Sequence, residues 1–103
     1  MRAVVPNLWH VEVGQSLLVA ERQSRLTVTE RETAPSLLLD LPVAVDADTW
    51  ARAMRDTIAL AGEQRLSLYD AACLELSRRR ELPLATFDAN LRRAASAIGV
   101  VLL

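Results

Sequence analysis

Residues 66–103, which read LSLYDAACLELSRRRELPLATFDANLRRAASAIGVVLL, contain two helical patterns, each followed by a short apolar run. Ser67 opens the first pattern, and the run after it predicts a strand at 84–86. Asp88 is placed to cap the second helix, and residues 100–103 predict the last strand. Short strands that do not alternate polar and apolar residues are typical of a parallel sheet covered by helices. This stretch therefore predicts an α/β fold.

The first half of the chain repeats this alternation of strands and helices. The predicted elements are a strand at Ala3–Val5, a helix over 8–25, a helix that begins at a capping box of Thr29 and Glu32, a strand at Val43–Val45, and a helix from Asp48 to near Gly62. Ligands of open parallel sheets bind beyond the carboxyl ends of the strands. A functional site is therefore expected at that edge of a short, mostly parallel sheet flanked by helices.

Length and composition predict one small soluble domain covering residues 1–103. The chain is 51% hydrophobic and 24% charged, and no run approaches the roughly 18 apolar residues of a membrane span. Its net charge of −1 excludes the strongly basic surface of a protein that coats nucleic acid. A single cysteine, Cys73, argues against a disulfide framework, and the opening MRAVVPN lacks the apolar run of a signal peptide. A cytoplasmic location without membrane partners is expected.

Three acids stand out because each is flanked by apolar residues: Glu12 in LWHVEVGQSLL, Asp70 in LSLYDAACLEL and Asp88 in PLATFDANLRRAA. Acids are rarely buried alone, so carboxylates drawn to the edge of an apolar interior need a partner for their charge. Hard cations such as Mg²⁺ bind through carboxylates together with water and a phosphate substrate. The three acids are therefore candidate ligands of one divalent-cation site, with carboxyl oxygens roughly 4–8 Å apart around a water-bridged ion.

Each acid also has a purely structural explanation. Ser67 and Asp70 have the spacing of a helix cap, and an acid in a first helical turn suits the helix dipole. Asp88 is a good N-cap without any chemistry. Glu12 has no capping role, so its alternatives are a solvated position or a pair with an arginine. The arginines at 78–80 are interpreted as a solvated helix end, with contact to RNA phosphate as the alternative.

The chain resembles PIN-domain toxins of the VapC group in a series of motifs that run in the same order along almost its whole length. They are VPNLWHVEV, QSLLVAERQSRLT, LDLPVAVD, LSLYDAACLELSRR, LPLATFDANLRRAA and GVVLL, of which YDA followed by TFD is the most specific. The resemblance implies a PIN-like three-layer fold and a Mg²⁺- or Mn²⁺-dependent endoribonuclease of a type II toxin–antitoxin system. Its implied partners are an RNA substrate and a cognate antitoxin that holds the enzyme inactive.

The resemblance also assigns roles to individual residues. Glu12, Asp70 and Asp88 match three of the four acids of the family's site, as catalytic residues and metal ligands. Thr86 matches the hydroxyl residue that often precedes the last of these acids, and so has a supporting role. In a site of this kind the metal ion lowers the pKa of a bound water and neutralises charge on the scissile phosphate.

The family's first strand, which ends in the first of its four acids, has no counterpart in this sequence. By the resemblance that strand is the central one of the sheet, so an N-terminally truncated fold is expected. We therefore expect weak metal binding and weak or undetectable ribonuclease turnover. The alternative function is a non-catalytic PIN remnant that acts as an antitoxin-binding or dimerisation module, and a further interpretation is that a longer native chain supplies the strand.

The gap in the sheet leads to an expectation about assembly. Without the central strand, backbone groups of Ala3–Val5 and of 84–86 lose their partners, and each buried unpaired group costs about 1–3 kcal/mol. The chain is expected either to close these two strands onto each other or to borrow an element from a second copy. We favour a homodimer, because the helical segments around 8–18 and 37–39 offer apolar surface as well.

Overall fold

A computed structural model describes residues 2–103 and shows an α/β architecture in which helices accompany a small parallel sheet. In chain order the elements are β1 (Ala3–Val5), α1 (Trp9–Arg22), α2 (Val28–Leu39), β2 (Val43–Val45), α3 (Thr49–Arg52), a π-helical turn (Ala53–Thr57), α4 (Ile58–Gln64), α5 (Leu68–Arg80) and α6 (Ala89–Ala97). The predicted α/β class, the predicted bounds of both strands and the parallel pairing are confirmed. Among the described residues no helix is both long and apolar enough to cross a membrane.

The sheet consists of β1 and β2, which run parallel with Ala3 opposite Val43 and Val5 opposite Val45. The Ala3 N–H donates to the Pro42 carbonyl at 3.1 Å, so the peptide groups of alternate β1 residues point towards β2. The peptide groups of Val4 consequently point away from β2. Within residues 2–103, β1 has no strand partner other than β2, so the expected closure onto 84–86 does not occur.

The prediction of strands at 84–86 and 100–103 is wrong in extent. The structure has a single parallel bridge there, between Leu84 and Leu102. The Leu84 N–H donates to the Val101 carbonyl at 2.8 Å, and its own carbonyl accepts from Leu103 at 3.0 Å. Beyond this bridge, the Thr86 carbonyl accepts a hydrogen bond from Arg92 of α6 at 2.9 Å.

Several helices also begin or end at residues other than the predicted ones, each for a local reason. The capping box of α2 is formed by Thr27 and Glu30, two residues before the predicted pair. The Thr27 hydroxyl accepts a hydrogen bond from the Glu30 N–H at 3.1 Å, and the Glu30 carboxylate accepts one from the Thr27 N–H at 2.9 Å. The first helix ends at Arg22, three residues early, with Ser24 at a φ of 58° just beyond it. Helix α4 continues past Gly62 and ends at Gln64, where Arg65 is the C-cap residue with a left-handed φ of 56°.

Two other predicted helix signals are confirmed. The Ser67 hydroxyl accepts from the Asp70 N–H at the start of α5. Gly99 follows the end of α6 with a φ of +80°, a conformation that favours glycine.

The core is small and lies between α4, α5, α6 and the Leu84 bridge. Its buried members are Leu60, Leu74, Leu84, Leu91, Ala94 and Ala95. Helices α1 and α2 contain no buried residue, and large apolar side chains such as Leu37 and Leu39 are more than two-thirds exposed on α2. The second half of the chain therefore holds the core, while α1 and α2 pack on each other and keep much apolar surface in water.

Candidate functional site

Glu12 and Asp70 each lie in the first turn of a helix, Glu12 in α1 and Asp70 in α5. Both side chains are half-buried. The main-chain groups around them are satisfied within their own helices, since Ser16 donates to the Glu12 carbonyl at 3.0 Å and the Asp70 N–H donates to Ser67 at 3.2 Å. Neither carboxylate takes part in an ion pair among residues 2–103. Both remain able to accept hydrogen bonds or bind a cation.

The charges of these two acids influence the same two side chains, Tyr69 and Cys73. Burial, together with the negative charges of Asp70 and Glu12, raises the pKa of the Cys73 thiol to about 11. Burial, then the adjacent Cys73, and then Glu12 and Asp70 raise the pKa of the Tyr69 hydroxyl as well. The charges of two carboxylates, one on α1 and one on α5, therefore act on the same two side chains, which gives the acids a common electrostatic neighbourhood.

Asp88 caps α6, as its structural explanation predicts. Its Oδ2 accepts from the Leu91 N–H at 2.8 Å, and its own N–H donates to the Thr86 hydroxyl at 3.1 Å. The residue is exposed, and Oδ2 is the oxygen occupied by the cap. Thr86 thus supports the position of Asp88, while the capping bond leaves Oδ1 as the oxygen available to another partner.

The donor chemistry of the three acids fits a hard cation, since carboxylate oxygens are the ligands that Mg²⁺ prefers. Their grouping is looser than a ligand set requires. Among the described residues, no three histidine, cysteine, aspartate or glutamate side chains come close enough to hold a metal ion. Glu12 and Asp70 act electrostatically on the same two side chains, and Asp88 is positioned by its helix cap, but the three acids do not form one ligand cluster among the described residues.

The structure contains a buried ionic cluster that the sequence analysis missed. Arg79 donates from Nη1 and Nη2 to the two carboxylate oxygens of Asp46, at 3.2 and 2.6 Å, and from Nε to Glu75 at 2.7 Å. The Asp46 and Glu75 side chains are only 3% and 5% exposed. Thr49 donates to Asp46 Oδ2 at 3.0 Å and accepts from the Asn7 N–H. The cluster joins the carboxyl ends of β1 and β2 to α5.

The electrostatics of this cluster follow from its pairing. Burial would raise the pKa of Asp46, but the hydrogen bonds from Arg79 and Thr49 and the charge of Arg79 together hold it below its usual range. The same hydrogen bonds, to Asp46 and then to Glu75, raise the pKa of Arg79. Since the buried carboxylates are paired, the cluster is a structural support at the sheet edge.

The interpretation of residues 78–80 as a solvated helix end is wrong for Arg79, because the Arg79 side chain is only 18% exposed. Arg78 remains exposed, and the Arg80 side chain is 45% exposed. The sequence did hold part of the signal, since Glu75 precedes Arg79 by four residues on α5 and such pairs face each other. The other partner, Asp46, is 33 residues away and carries no local signal.

Comparison with known proteins does not place this chain in a family. No protein-family model matches it, and no curated protein matches it either.

Proposed function

We propose that this chain is a PIN-like domain similar to VapC-type toxins, and that it acts on RNA as a metal-dependent endoribonuclease with weak turnover. The observation that carries the proposal is the common electrostatic neighbourhood of Glu12 and Asp70, which lie on two helices far apart in sequence and whose charges both act on Tyr69 and Cys73. Clustered acids are costly unless a cation neutralises them. The neighbourhood is therefore a reasonable place for a divalent cation.

Glu12, Asp70 and Asp88 are the proposed catalytic residues and metal ligands, with Mg²⁺ or Mn²⁺ as the ion. When bound, such an ion lowers the pKa of a water and stabilises charge on phosphate oxygens. Glu12 and Asp70 contribute half-buried carboxylates that hold no ion pair within residues 2–103. Asp88 contributes its Oδ1 while Oδ2 holds the cap, and Thr86 orients Asp88 through its N–H.

The proposed PIN-like, three-layer arrangement has support from the way the parallel pairs are divided. One pair is β1 with β2, and the other is the Leu84–Leu102 bridge, with no strand of residues 2–103 joining them. A sheet that lacks its central strand would leave two such pairs. In the family the first of the four acids lies on that central strand, so its lack of a counterpart in residues 1–103 agrees with the proposed weak turnover.

Two protein partners belong to the proposal, a cognate antitoxin and a second copy of the chain. Their support is the apolar surface of α1 and α2, where a groove lined by Trp9, Val13, Leu17 and Leu38 adjoins the exposed Leu39. Exposed apolar patches of this kind often mark protein interfaces. A cytoplasmic location remains part of the same proposal.

A non-catalytic binding module is the second candidate function. It is favoured by the finding that no three potential ligands among the described residues are close enough for a metal ion. In this alternative the α1–α2 surface binds the antitoxin or a second copy, and the acids serve only as a helix cap and as solvated charges.

The two functions differ in the effect of Asp70→Asn on RNA cleavage. We expect slow cleavage of structured RNA that needs Mg²⁺ or Mn²⁺ and that Asp70→Asn removes, with weak Mn²⁺ binding lost in parallel by calorimetry. Glu63→Gln on α4 is the matched control, because Glu63 is exposed and forms no ion pair in the described part of the chain. Complete absence of cleavage from the wild type would favour the binding module, and cleavage that persists in Asp70→Asn would overturn the role of Asp70 in the proposed site.

A further inference from the structure

Phe87 is a large apolar side chain held entirely in water. The residue is 103% exposed, the highest value among the exposed large hydrophobic residues of the described part of the chain. Only one other large aromatic side chain in that part of the chain, Trp50 at 62%, counts as exposed. Phe87 directly precedes Asp88, so the ring stands next to one of the proposed catalytic residues.

The loop that carries Phe87 is fixed on both sides. The Asp88 N–H donates to the Thr86 hydroxyl at 3.1 Å, and Asp88 Oδ2 accepts from the Leu91 N–H at 2.8 Å. Arg92 Nη1 donates to the Thr86 carbonyl at 2.9 Å. The exposed ring therefore projects from an ordered backbone, which lowers the entropy cost of binding a partner to it.

Arg92 places a positive charge against the same loop. It forms no ion pair within residues 2–103, and Nη1 is the nitrogen that binds the Thr86 carbonyl. A guanidinium has five N–H donors, so donors on Nε and Nη2 stay available to an anion. Arg93, the next residue, donates to Gln64 and Asn90 and likewise pairs with no carboxylate there.

An exposed aromatic ring beside an unpaired arginine is the combination that proteins use to bind single-stranded nucleic acid. Every base has a flat face that can stack on a ring, while the phosphate binds the cation. Bases inside a duplex are already stacked on each other and cannot reach the ring.

We infer that Phe87 and Arg92 bind one nucleotide of single-stranded RNA, with its base stacked on the Phe87 ring and its phosphate bound by the Arg92 guanidinium. The inference rests on the proposed function and gives it a substrate class, an unpaired segment of RNA. The nucleotide would lie beside Asp88, so Phe87 is a positioning residue that holds the strand next to the proposed site.

The test measures binding of a fluorescein-labelled single-stranded RNA of mixed sequence by anisotropy, in EDTA so that no cleavage occurs. We expect Phe87→Ala to weaken binding about 5- to 150-fold, the range found when a stacking aromatic is replaced by alanine. Phe87→Trp should restore binding, because tryptophan also stacks. Met54→Ala is the matched control, since Met54 is 78% exposed and lies on another element.

Two further readouts separate stacking from other roles. Replacing Arg92 by glutamine should reduce the slope of log affinity against log salt by about 0.7, the value for one phosphate contact to a single strand. Phe87→Ala should leave the melting temperature and the oligomeric state unchanged, because the ring packs against nothing in this structure.

Each contrary result overturns the inference. The wild type could fail to bind single-stranded RNA, or it could bind duplex RNA with the same affinity as single-stranded RNA. Phe87→Ala could also leave the affinity for single-stranded RNA unchanged. A change of oligomeric state in Phe87→Ala would show instead that a second copy covers the ring. The proposed function is judged separately, by whether Asp70→Asn removes metal-dependent cleavage.

Discussion

At the scale of single residues, Arg79 has the largest expected effect on stability, because it neutralises two buried carboxylates at once. Its guanidinium binds Asp46 through two nitrogens and Glu75 through the third. A buried ion pair adds little net stability when it is whole, since desolvation offsets the attraction. Removing one member is different, because the remaining charges stay buried without a partner.

We predict that Arg79→Met lowers the free energy of unfolding by about 3–5 kcal/mol, the cost of breaking a buried pair. Urea unfolding followed by circular dichroism measures this change. Arg78→Met is the matched control on the same turn of α5, and as an exposed position it should change the free energy of unfolding by less than about 0.5 kcal/mol. Equal effects of the two substitutions would show that the cluster does not contribute in solution.

The same cluster predicts how stability depends on pH. The pKa of Asp46 is lower in the folded chain than the ordinary value of about 3.9. The contribution of Asp46 is therefore fully present above that ordinary value and is lost as pH falls through the lower, folded value. We expect the melting temperature to fall over this acidic range, and the Asp46 carboxyl carbon to titrate below pH 3.9 by NMR. Titration at or above the ordinary value would contradict the pairing.

At the scale of elements, the start of α6 combines a structural and a proposed catalytic role in one side chain. Asp88 accepts the capping hydrogen bond from Leu91 through Oδ2. Asparagine keeps a capping oxygen but carries no charge, and alanine has neither. The two substitutions therefore separate the cap from the proposed binding of a cation.

We predict that Asp88→Ala lowers the free energy of unfolding by about 0.5–2 kcal/mol, the usual cost of losing an N-cap, while Asp88→Asn changes it by only a few tenths. Thermal unfolding of both variants measures the difference. If Asp88 is also catalytic, metal-dependent RNA cleavage should be lost in both. Normal cleavage by Asp88→Asn would leave the cap as the only role of this residue.

At the scale of the whole molecule, the distribution of apolar surface is uneven. The core lies among α4, α5 and α6, whereas α1 and α2 have no buried residue. Leu37 and Leu39 are 71% and 72% exposed on α2, and the outward peptide groups of Val4 have no strand partner in residues 2–103. Burial of apolar surface contributes a stabilising free energy of about 25 cal/mol per Å², so a second copy that covers these helices would stabilise the fold.

We predict that the chain is a homodimer and that Leu37→Glu shifts it towards monomer, because a charge in an apolar interface loses its hydration. Light scattering across a dilution series measures the molecular mass. Met54→Glu is the control, since Met54 is similarly exposed on the π-helical turn, away from α2. A stable, folded monomer at low micromolar concentration would refute the dimer.

The sequence by itself determined the features that depend on neighbours within about one turn of chain. The bounds of β1 and β2 were predictable from short apolar runs next to prolines, and the caps by Ser67 and Asp88 were predictable from residue type and spacing. Gly99 ended α6 as expected because glycine tolerates a positive φ. Local signals could still mislead by two residues, as at Thr27, where two overlapping Thr-x-x-Glu pairs competed for one helix start.

Only the tertiary structure decided which distant groups meet. Arg79 pairs with Asp46 across 33 residues, a contact that depends on how β2 and α5 pack. The strand predicted at 84–86 is reduced to one bridge with Leu102, and the Thr86 carbonyl accepts a hydrogen bond from Arg92 of α6. Glu12 and Asp70 lie on helices far apart in sequence, yet their charges act on the same two side chains, Tyr69 and Cys73. The physical reason is common to all three, since backbone preferences act over a few residues, whereas burial and pairing depend on which surfaces the whole chain brings into contact.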